Sequence, residues 1–392
     1  MLSRLAEAES RGYLKFVRLP VGVNVQNSTQ AILSAISEDS YGIVVLDSIN
    51  TLLEGVIDDA EKRAWLTNFF YNIPSIIRGL CILIAELPYG SEKLEINGLE
   101  FVADAVLILK QRIEEGFLVR TLEVRKARGA PVVLADIPFS IVENEGVRLW
   151  LPPVIEHIDE RREVIELPCE ALRRVWGHIH RGFVINVVYP QNPDYRDLLV
   201  PVLATAMTHG LRVLMISYKH PPHSIREALE YRLAKVGVDR EVVEKVVSEH
   251  FKFMSINPFS YSLTQLVIRE NSIIDSEKPD AVVFHGVEVS RLGVPLRSHI
   301  VELYNQMNYL KKMGVVVIRI GSYTGRKTYD LESRVSDVVL RFYYGDKGSD
   351  GSLSYRALTW RRHSTPKILD HEELIKCVEE SSELIKKRLT LK

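Results

Sequence analysis

Cysteine is scarce in this sequence of 392 residues, which contains only Cys81, Cys169 and Cys377. The three lie far apart and form no CxxC pair, so the spacing argues against a metal knuckle or a disulfide framework. Long apolar runs are also missing, since no stretch approaches the roughly 18 residues that a membrane span requires. The opening MLSRLAEAES has no apolar core of the secretory type. We therefore expect a cytoplasmic protein that does not span a membrane.

A strong charge of either sign is absent as well. The formal net charge is −1, divided into −5 for residues 1–150 and +4 for residues 151–392. Nucleic-acid-binding domains usually carry a clear basic excess, so binding to DNA or RNA has weak support, although a local patch is compatible with it. A hydrophobic content of 46% and a charged content of 26% are typical of globular proteins. The length predicts two or three domains.

Short apolar runs alternate with longer amphipathic segments, the pattern of a parallel sheet covered by helices. The predicted strands of the first half are Ile43–Leu46, Cys81–Ala85, Val106–Leu109 and Leu118–Val124. In YGIVVLDSINTLL, Asp47 and Ser48 end the first of these strands. A buried parallel strand that ends in aspartate can present this carboxylate to Mg²⁺ at the edge of a nucleotide site. The fold class is therefore predicted as α/β.

The order of short motifs recurs after about 235 residues. YLKF matches HFKF, YGIVVLDS matches PDAVVFHG, FVADAVLIL matches RVSDVVLRF, and KARGAP matches RRHSTP. The second match aligns Asp47 with His285, and the third aligns Asp104 with Asp337. Four matches at nearly one offset predict a tandem duplication.

The duplication predicts four segments. They are a first copy at residues 1–150, a linker at 151–168, a second copy at 169–368 and a C-terminal helix at 369–392. Asp370 followed by Glu373 predicts a capping box at the start of that helix. The offset places the start of the first copy upstream of Met1. We therefore expect the first copy to lack an opening strand, a phosphate loop and a helix, and its sheet to expose a face or an edge near its first strand.

Five motifs of the first copy resemble, in order, the second half of a KaiC-type domain of the RecA-superfamily ATPases. They are VVLDSINTLL, LIAELPYG, FVADAVLIL, TLEVRKARGAP and IPFSI, within about residues 11–148. Residues 169–368 resemble a complete domain more weakly. The resemblance implies two tandem RecA-like domains of the P-loop NTPase type, with mostly parallel sheets flanked by helices. It also implies an ATP and Mg²⁺ site and assembly into homo-oligomers or hetero-oligomers.

The resemblance also implies roles for individual residues. Asp47, with Ser48, matches the acidic position that holds Mg²⁺ and water, and Glu86 matches a sensor position. Lys126 and Arg128 match a basic pair that reaches the γ-phosphate of a neighbouring subunit, where cations stabilise the transferring group. The alternatives are structural: Asp47–Ser48 as a helix cap, and Lys126 with Arg128 as a solvated strand edge.

The second copy departs from the family pattern at the phosphate loop. YPQNPDYRDLL stands where the family has GxxGxGK[ST], so glycine and lysine are replaced by residues that include Asp194, Arg196 and Asp197. A charge-assisted hydrogen bond contributes about 1.5–3 kcal/mol, and loss of two would turn a micromolar site into a roughly millimolar one. We therefore expect this copy not to bind ATP in the family manner.

Other family positions of the second copy have changed too. Lys219 and His220 replace the catalytic carboxylate, and His285 replaces the Mg²⁺ carboxylate. Arg361 and His363 are interpreted as the replacements of the basic pair.

Three interpretations remain open. The first is a degenerate, non-hydrolysing KaiC-like subunit that regulates or assembles with a P-loop-bearing paralogue. The second is an ATP-binding KaiC-type ATPase that is active once a longer chain or a neighbouring gene product supplies the missing part. The third is a RadA-like DNA-binding module.

Overall fold

A computed structural model describes residues 2–19, 25–56, 59–87, 98–114, 116–142, 145–155, 163–190, 196–235, 237, 240–347 and 353–390. The chain divides into two compact units. Unit 1 comprises Met1–Lys110 and Leu122–Ile137, and unit 2 comprises Gln111–Thr121 and Pro138–Lys392. The boundaries predicted at residues 150, 168 and 368 stay predictions.

The helices and strands alternate along most of the chain. The helices are α1 (Leu2–Ser10), α2 (Val25–Ser37), α3 (Asn50–Glu54), α4 (Ala60–Ile77), α5 (Leu99–Val102), α6 (Glu170–Trp176), α7 (Leu199–His209), α8 (Pro222–Lys235), α9 (Arg240–His250), α10 (Leu263–Glu277), α11 (Leu296–Met313), α12 (Arg326–Arg334) and α13 (His371–Thr390). The strands are β1 (Ile43–Asp47), β2 (Leu80–Ile84), β3 (Ala105–Glu114), β4 (Phe117–Ala127), β5 (Asp136–Val142), β6 (Gly146–Leu149), β7 (Val164–Ile165), β8 (Ile179–His180), β9 (Val184–Tyr189), β10 (Val213–Ser217), β11 (Phe251–Ser255), β12 (Ala281–His285), β13 (Val316–Ser322), β14 (Val338–Lys347), β15 (Leu353–Arg361) and β16 (Lys367–Leu369). The four strands predicted in the first half fall on β1 to β4.

Unit 1 is built on β1 and β2, which pair in parallel. One face of the pair carries Leu46 and packs against α3 and α4, whose Leu52, Leu66 and Phe70 are buried with it. α4 begins at Asp59, whose carboxylate accepts the N–H of a residue three positions later and so caps the helix. The core of unit 1 therefore lies on one side of its sheet.

The opposite face of β1 and β2 is exposed and apolar. Ile43 and Val45 on β1 are 60% and 54% exposed, and Leu80, Ile82 and Ile84 on β2 are 53%, 40% and 39% exposed. Side chains two residues apart share one face of a strand, so these five form a continuous patch. This is the exposed sheet face that the sequence led us to expect.

The remaining strands of the first half form a separate four-stranded sheet in the order β3-β4-β5-β6. Its last two strands are antiparallel, with Phe139 opposite Leu149.

Unit 2 contains an eight-stranded sheet in the order β11-β10-β12-β13-β9-β14-β15-β16. The first six strands of this order run parallel, and β14, β15 and β16 are antiparallel neighbours. Every residue of β9, β10 and β12 is buried, as expected for central parallel strands covered on both faces. α6, α7 and α13 contribute to the core on one face, and α10 and α11 contribute to the core on the other. The predicted α/β class with helix-flanked, mostly parallel sheets is confirmed, and it is consistent with a RecA-like domain.

The C-terminal helix α13 begins at the predicted capping box. Glu373 N–H donates to the Asp370 carboxylate at 2.9 Å, and Asp370 N–H donates to the Glu373 carboxylate at 3.1 Å. Cys377 on this helix forms a disulfide with Cys169, which directly precedes α6. The expectation of no disulfide was wrong, because two cysteines 208 residues apart give no spacing signal in a sequence. Among the described residues, none of the helices has both the length and the apolarity to cross a bilayer.

Candidate functional site

Asp47 is the last residue of β1, and its side chain is exposed at the carboxyl end of the strand. It is joined to the half-buried Ser48 by a cis peptide bond. Because β1 and β2 pair in parallel, Asp47 lies beside Ile84, the last residue of β2. The carboxylate is thus at the sheet edge where the family resemblance predicts a Mg²⁺ ligand. The role itself stays a prediction.

Asn50 connects the ends of β1 and β2. Its side-chain amide donates to the Glu86 carbonyl at 2.9 Å, and its side-chain oxygen accepts the Glu86 N–H at 2.8 Å. Ile49 N–H also donates to the Ile84 carbonyl at 2.9 Å. These bonds hold Glu86 at the same sheet edge as Asp47. Sequence reasoning missed Asn50 because its partner lies 36 residues away.

Lys126 and Arg128 lie at the C-terminal end of α5. The Lys126 ammonium donates to two carbonyl groups of this helix at 2.8 and 3.1 Å. Arg128 donates to one of the same carbonyls at 2.9 Å and forms a 3.3 Å ion pair with Asp104. The negative end of a helix attracts such cations. Every acceptor that the structure assigns to the two side chains lies within residues 100–104, so neither is paired with Asp47.

A hairpin of unit 2 makes a backbone contact similar to that of Arg128. Arg128 N–H donates to the Asp104 carbonyl at 2.8 Å, and Arg362 N–H donates to the Asp337 carbonyl at 2.8 Å. The next residue has a positive φ in both hairpins, 73° in the first and 65° in the second. By this contact Arg362 resembles Arg128, and the alignment of His363 with Arg128 stays a prediction.

The other residues of the expected degenerate site are held in separate places. The Arg361 guanidinium donates to carbonyl groups at and just after the end of α6, at 2.7 and 3.0 Å. Asp197 pairs with Arg232 at 3.2 Å. Arg196 belongs to a short 3-10 turn before α7, and its side chain lies outside the described part of the structure, as does all of Asp194.

His285 ends β12 at the carboxyl edge of unit 2, where it is 3% exposed. Its Nδ1 lies 3.0 Å from the Ser217 hydroxyl at the end of β10. Burial, with the nearby His220 and Lys219, lowers the pKa of the His285 imidazole to about 3. The ring is therefore neutral at physiological pH. Mg²⁺ prefers oxygen ligands, so this side chain does not replace an aspartate as its ligand.

Lys219 and Glu288 form an ion pair beside His285. The Lys219 ammonium lies 2.5 Å from one Glu288 oxygen, and the Ser322 N–H donates to the other at 3.0 Å. Burial opposes ionisation of Glu288, but the bonds from Lys219 and Ser322 outweigh it and hold the pKa of this carboxyl below its usual range. The ion pair and the Ser322 bond thus connect the ends of β10 and β13 to the segment after β12.

Two glycines allow this ion pair to lie against the sheet. A Cβ on Gly286 would lie 2.7 Å from Cγ of Lys219, and one on Gly321 would lie 3.0 Å from a Glu288 oxygen. The first distance is shorter than real Cβ contacts and the second is unusually tight, so the pair occupies the space next to the ends of β12 and β13.

The residues of unit 2 do not fit Mg²⁺-ATP, since this edge offers a neutral imidazole and an internally paired lysine. Unit 1 fits in part, because the exposed Asp47 carboxylate suits Mg²⁺. Within the described ranges, no group of three or more His, Cys, Asp or Glu side chains is placed to hold a metal ion. A Mg²⁺ ion at Asp47 would therefore need further oxygen ligands, such as those of a nucleotide.

Comparison with known proteins agrees with this geometry. Residues 13–152 match the family model described as "ATPase: KaiC". The circadian clock protein KaiC2 of Synechocystis sp. is 24% identical over 292 residues, which cover 74% of this chain and 50% of that protein. The circadian clock protein KaiC3 of the same organism is 25% identical over 245 residues, covering 61% of this chain and 46% of that protein. The chain spans about half the length of these relatives. Together with the α/β fold, these matches support a relationship of the chain to the KaiC-like proteins of the RecA superfamily.

Proposed function

We propose that the chain is a non-hydrolysing KaiC-like subunit that regulates or joins an assembly in which a partner binds the nucleotide. The observation that carries this proposal is the ion pair of Lys219 and Glu288 at the carboxyl edge of unit 2. The family resemblance implies phosphate and Mg²⁺ at this edge. A nucleotide would first have to separate a partly buried ion pair, which is costly.

The proposal includes a tandem duplication as the origin of the two copies, at residues 1–150 and 169–368. α4 and α11 each have 18 residues, and each precedes a parallel strand. β3 and β14 each have 10 residues and each is followed by a long strand. The equal lengths and the same order support a common ancestral domain.

The exposed face of β1 and β2 supports a role in assembly. In unit 2, the matching strands β12 and β13 are flanked by β10 and β9, and the helix α7 connects those two outer strands. Val283 and Val316 on the matching face are 0% and 3% exposed there. In unit 1 the same face is apolar and exposed, as is common for surfaces that bind another polypeptide.

The basic pair gives the proposal its test. Lys126 and Arg128 bond to carbonyl groups at the end of α5, and Arg128 also pairs with Asp104, so they would exchange these contacts for a nucleotide that a neighbouring subunit presents. We expect the chain alone to hydrolyse ATP at the background rate, and to stimulate a P-loop-bearing paralogue. The Lys126→Ala/Arg128→Ala variant should lose this stimulation, whereas Lys62→Ala, an exposed lysine of unit 1, should keep it. Equal stimulation by all three proteins would contradict the role of the pair.

A second candidate function rests on the exposed carboxylate of Asp47. In this alternative, unit 1 supplies the Mg²⁺ ligand of an ATP site that another strand, loop and helix complete. ATP hydrolysis by the purified chain that Asp47→Asn abolishes would favour this candidate over the first.

A further inference from the structure

A group of polar side chains is buried inside unit 2, between its sheet and the helices α10 and α11. Glu270 and Arg319 are 2% and 3% exposed, and Gln306 and His299 are each 6% exposed. These side chains line a cavity of about 40 Å³. Burial of charged groups in a core is unfavourable unless they are paired, so such a group requires an explanation.

The matching places in unit 1 are apolar. Val316 on β13 pairs with the first residue of β12, as Leu80 on β2 pairs with the first residue of β1. Three residues further along, Arg319 on β13 therefore matches Leu83 on β2. Gln306 lies four residues before Leu310, whose carbonyl accepts the N–H groups that end α11. In α4 the Pro74 carbonyl likewise accepts the N–H groups that end the helix. The residue four positions before Pro74, which matches Gln306, is Phe70.

Glu270 matches Ile32 at the offset that also joins Asp47 to His285. Both Ile32 and Phe70 are buried in the apolar core of unit 1. The same position in the fold is thus apolar in one unit and polar in the other. The polar group is therefore a property of unit 2 and is not needed to build the fold.

Most polar atoms of the group have partners. Tyr218 O–H donates to one Glu270 oxygen at 2.5 Å, and Gln306 donates to the other at 2.7 Å. Arg319 Nη2 donates to Glu332 at 3.4 Å. Arg319 Nη1 is buried and has no partner within the described ranges. A buried guanidinium nitrogen without an acceptor is a strong hydrogen-bond donor, and the Arg319 side chain lines the cavity.

The size and chemistry of the cavity indicate what it holds. A water molecule needs about 10–15 Å³ of such space, so about 40 Å³ accommodates two or three. Glu270 and Glu302 both line the cavity, which disfavours an anion beside them. The buried charged and polar groups disfavour a wholly apolar guest, although apolar side chains such as Leu263, Leu266 and Phe284 complete the wall. A small neutral molecule that both donates and accepts hydrogen bonds fits best.

We propose that unit 2 binds a cluster of water molecules in this cavity, which joins Arg319 Nη1 to Glu270, and that Glu270 is a proton-binding site. A proton on Glu270 would give the cluster a neutral wall opposite the arginine. Loss of the proton would place a carboxylate behind the sheet. Tyr218, which bonds to Glu270, directly precedes Lys219, so the proton site adjoins the closed edge described above.

Among the described titratable groups around the cavity, Glu270 is the one whose protonation state we expect to change near neutral pH. Burial raises the pKa of Glu270 to about 7, although Tyr218, Gln306 and Arg319 act against this effect. Burial also raises the pKa of the Tyr218 phenol well above its usual range. Burial lowers the pKa of His299 on α11, although Glu332 opposes this effect.

Two further charged groups complete the surroundings. Burial opposes ionisation of Glu332 on α12, but Arg319, His299 and Arg291 outweigh it and lower its pKa. Glu302 on α11 accepts hydrogen bonds from Trp150 and Thr264 at 2.8 and 2.6 Å.

The sign of the pH effect follows from the raised pKa. Glu270 binds a proton more tightly in the folded than in the unfolded chain. Its contribution to stability is fully present below the ordinary glutamate pKa and is lost as the pH rises through about 7. The unfolding equilibrium constant should rise by on the order of a hundredfold across this interval.

The test measures the state of Glu270 in the full chain. Difference infrared spectroscopy between pH 5 and pH 9 should show a protonated carboxyl band that disappears with a midpoint near pH 7 and is absent from Glu270→Gln. Urea unfolding over the same range should show the predicted loss of stability in the wild type and in Glu277→Gln, an outer carboxylate of α10. Glu270→Gln should lack this loss.

A high-resolution crystal structure tests the hydration directly. It should contain ordered water within hydrogen-bonding distance of Arg319 Nη1. A dry cavity, or a Glu270 that stays ionised from pH 5 to pH 9, would overturn the proposal. If Glu270→Gln does not fold, the infrared titration of the wild type alone decides.

Discussion

The Lys219 ammonium lies 2.5 Å from the Glu288 carboxylate at the carboxyl edge of unit 2. Lys219 is 38% exposed and Glu288 is 11% exposed, so water screens the pair only in part. Lys219 also packs on Gly286, the residue directly after His285. The edge at which the family would bind phosphate is closed by an internal charge pair.

Loss of the Glu288 charge should destabilise unit 2. We expect Glu288→Gln to lower the free energy of unfolding by about 1–2 kcal/mol at pH 7, because Lys219 is left half-buried without its partner. The folded-state pKa of Glu288 is lowered, so its contribution is present above the ordinary glutamate pKa and is lost as the pH falls below it. Urea unfolding at pH 7 and pH 3 should show the difference between variant and wild type shrinking at the lower pH. A constant difference would contradict the pairing.

Glu332 should be more sensitive, because it is buried among positive charges. It accepts bonds from Arg291, His299 and Arg319 and is 3% exposed. Glu332→Gln removes the only negative charge of this contact, and we expect a loss of about 3–5 kcal/mol in the free energy of unfolding. Asp330→Asn, on the solvent side of the same helix, should cost less than about 0.5 kcal/mol. Similar losses in the free energy of unfolding of the two variants, measured with urea, would contradict the burial of Glu332.

The disulfide can be tested by counting thiols. The unfolded, unreduced protein should react with a thiol reagent at Cys81 alone, and prior reduction should expose all three cysteines. The folded protein should react slowly, since burial raises the pKa of the Cys81 thiol to about 11. Cys377→Ser should lower the free energy of unfolding by about 2–4 kcal/mol under oxidising conditions and have a much smaller effect after reduction. Three reactive thiols in the unreduced chain would exclude the bond.

Asn50 should control the loop that carries Glu86. Asn50→Ala removes both bonds to the Glu86 backbone, so the Glu86 amide should exchange with deuterium faster than in the wild type. Asn72→Ala removes a side-chain bond within α4 and serves as the matched control. Unchanged exchange at residues 85–87 in Asn50→Ala would mean that the clamp does not order the loop.

Local patterns predicted the elements of the fold well. The apolar run ending at Asp47 gave β1, and Asp370 with Glu373 gave the start of α13. Such features depend on neighbours within one turn or one strand, which a sequence displays directly.

Long-range pairings were not predictable in the same way. The bonds of Asn50 with Glu86, Lys219 with Glu288 and Cys169 with Cys377 depend on the order of strands in the sheet, which brings distant segments together. The buried Glu270 could have been suspected only from its apolar counterpart in the first copy.

Equilibrium binding of a fluorescent ATP analogue to the purified chain, with Mg²⁺, measures the central claim most directly. We predict no saturable binding below about 1 mM, because, among the described residues, the paired edge of unit 2 and the Asp47 edge of unit 1 lack the phosphate contacts of a micromolar site. Glu288→Gln, which opens the edge, should not create a micromolar site either. Saturable binding with a micromolar Kd in the wild-type chain would contradict the account.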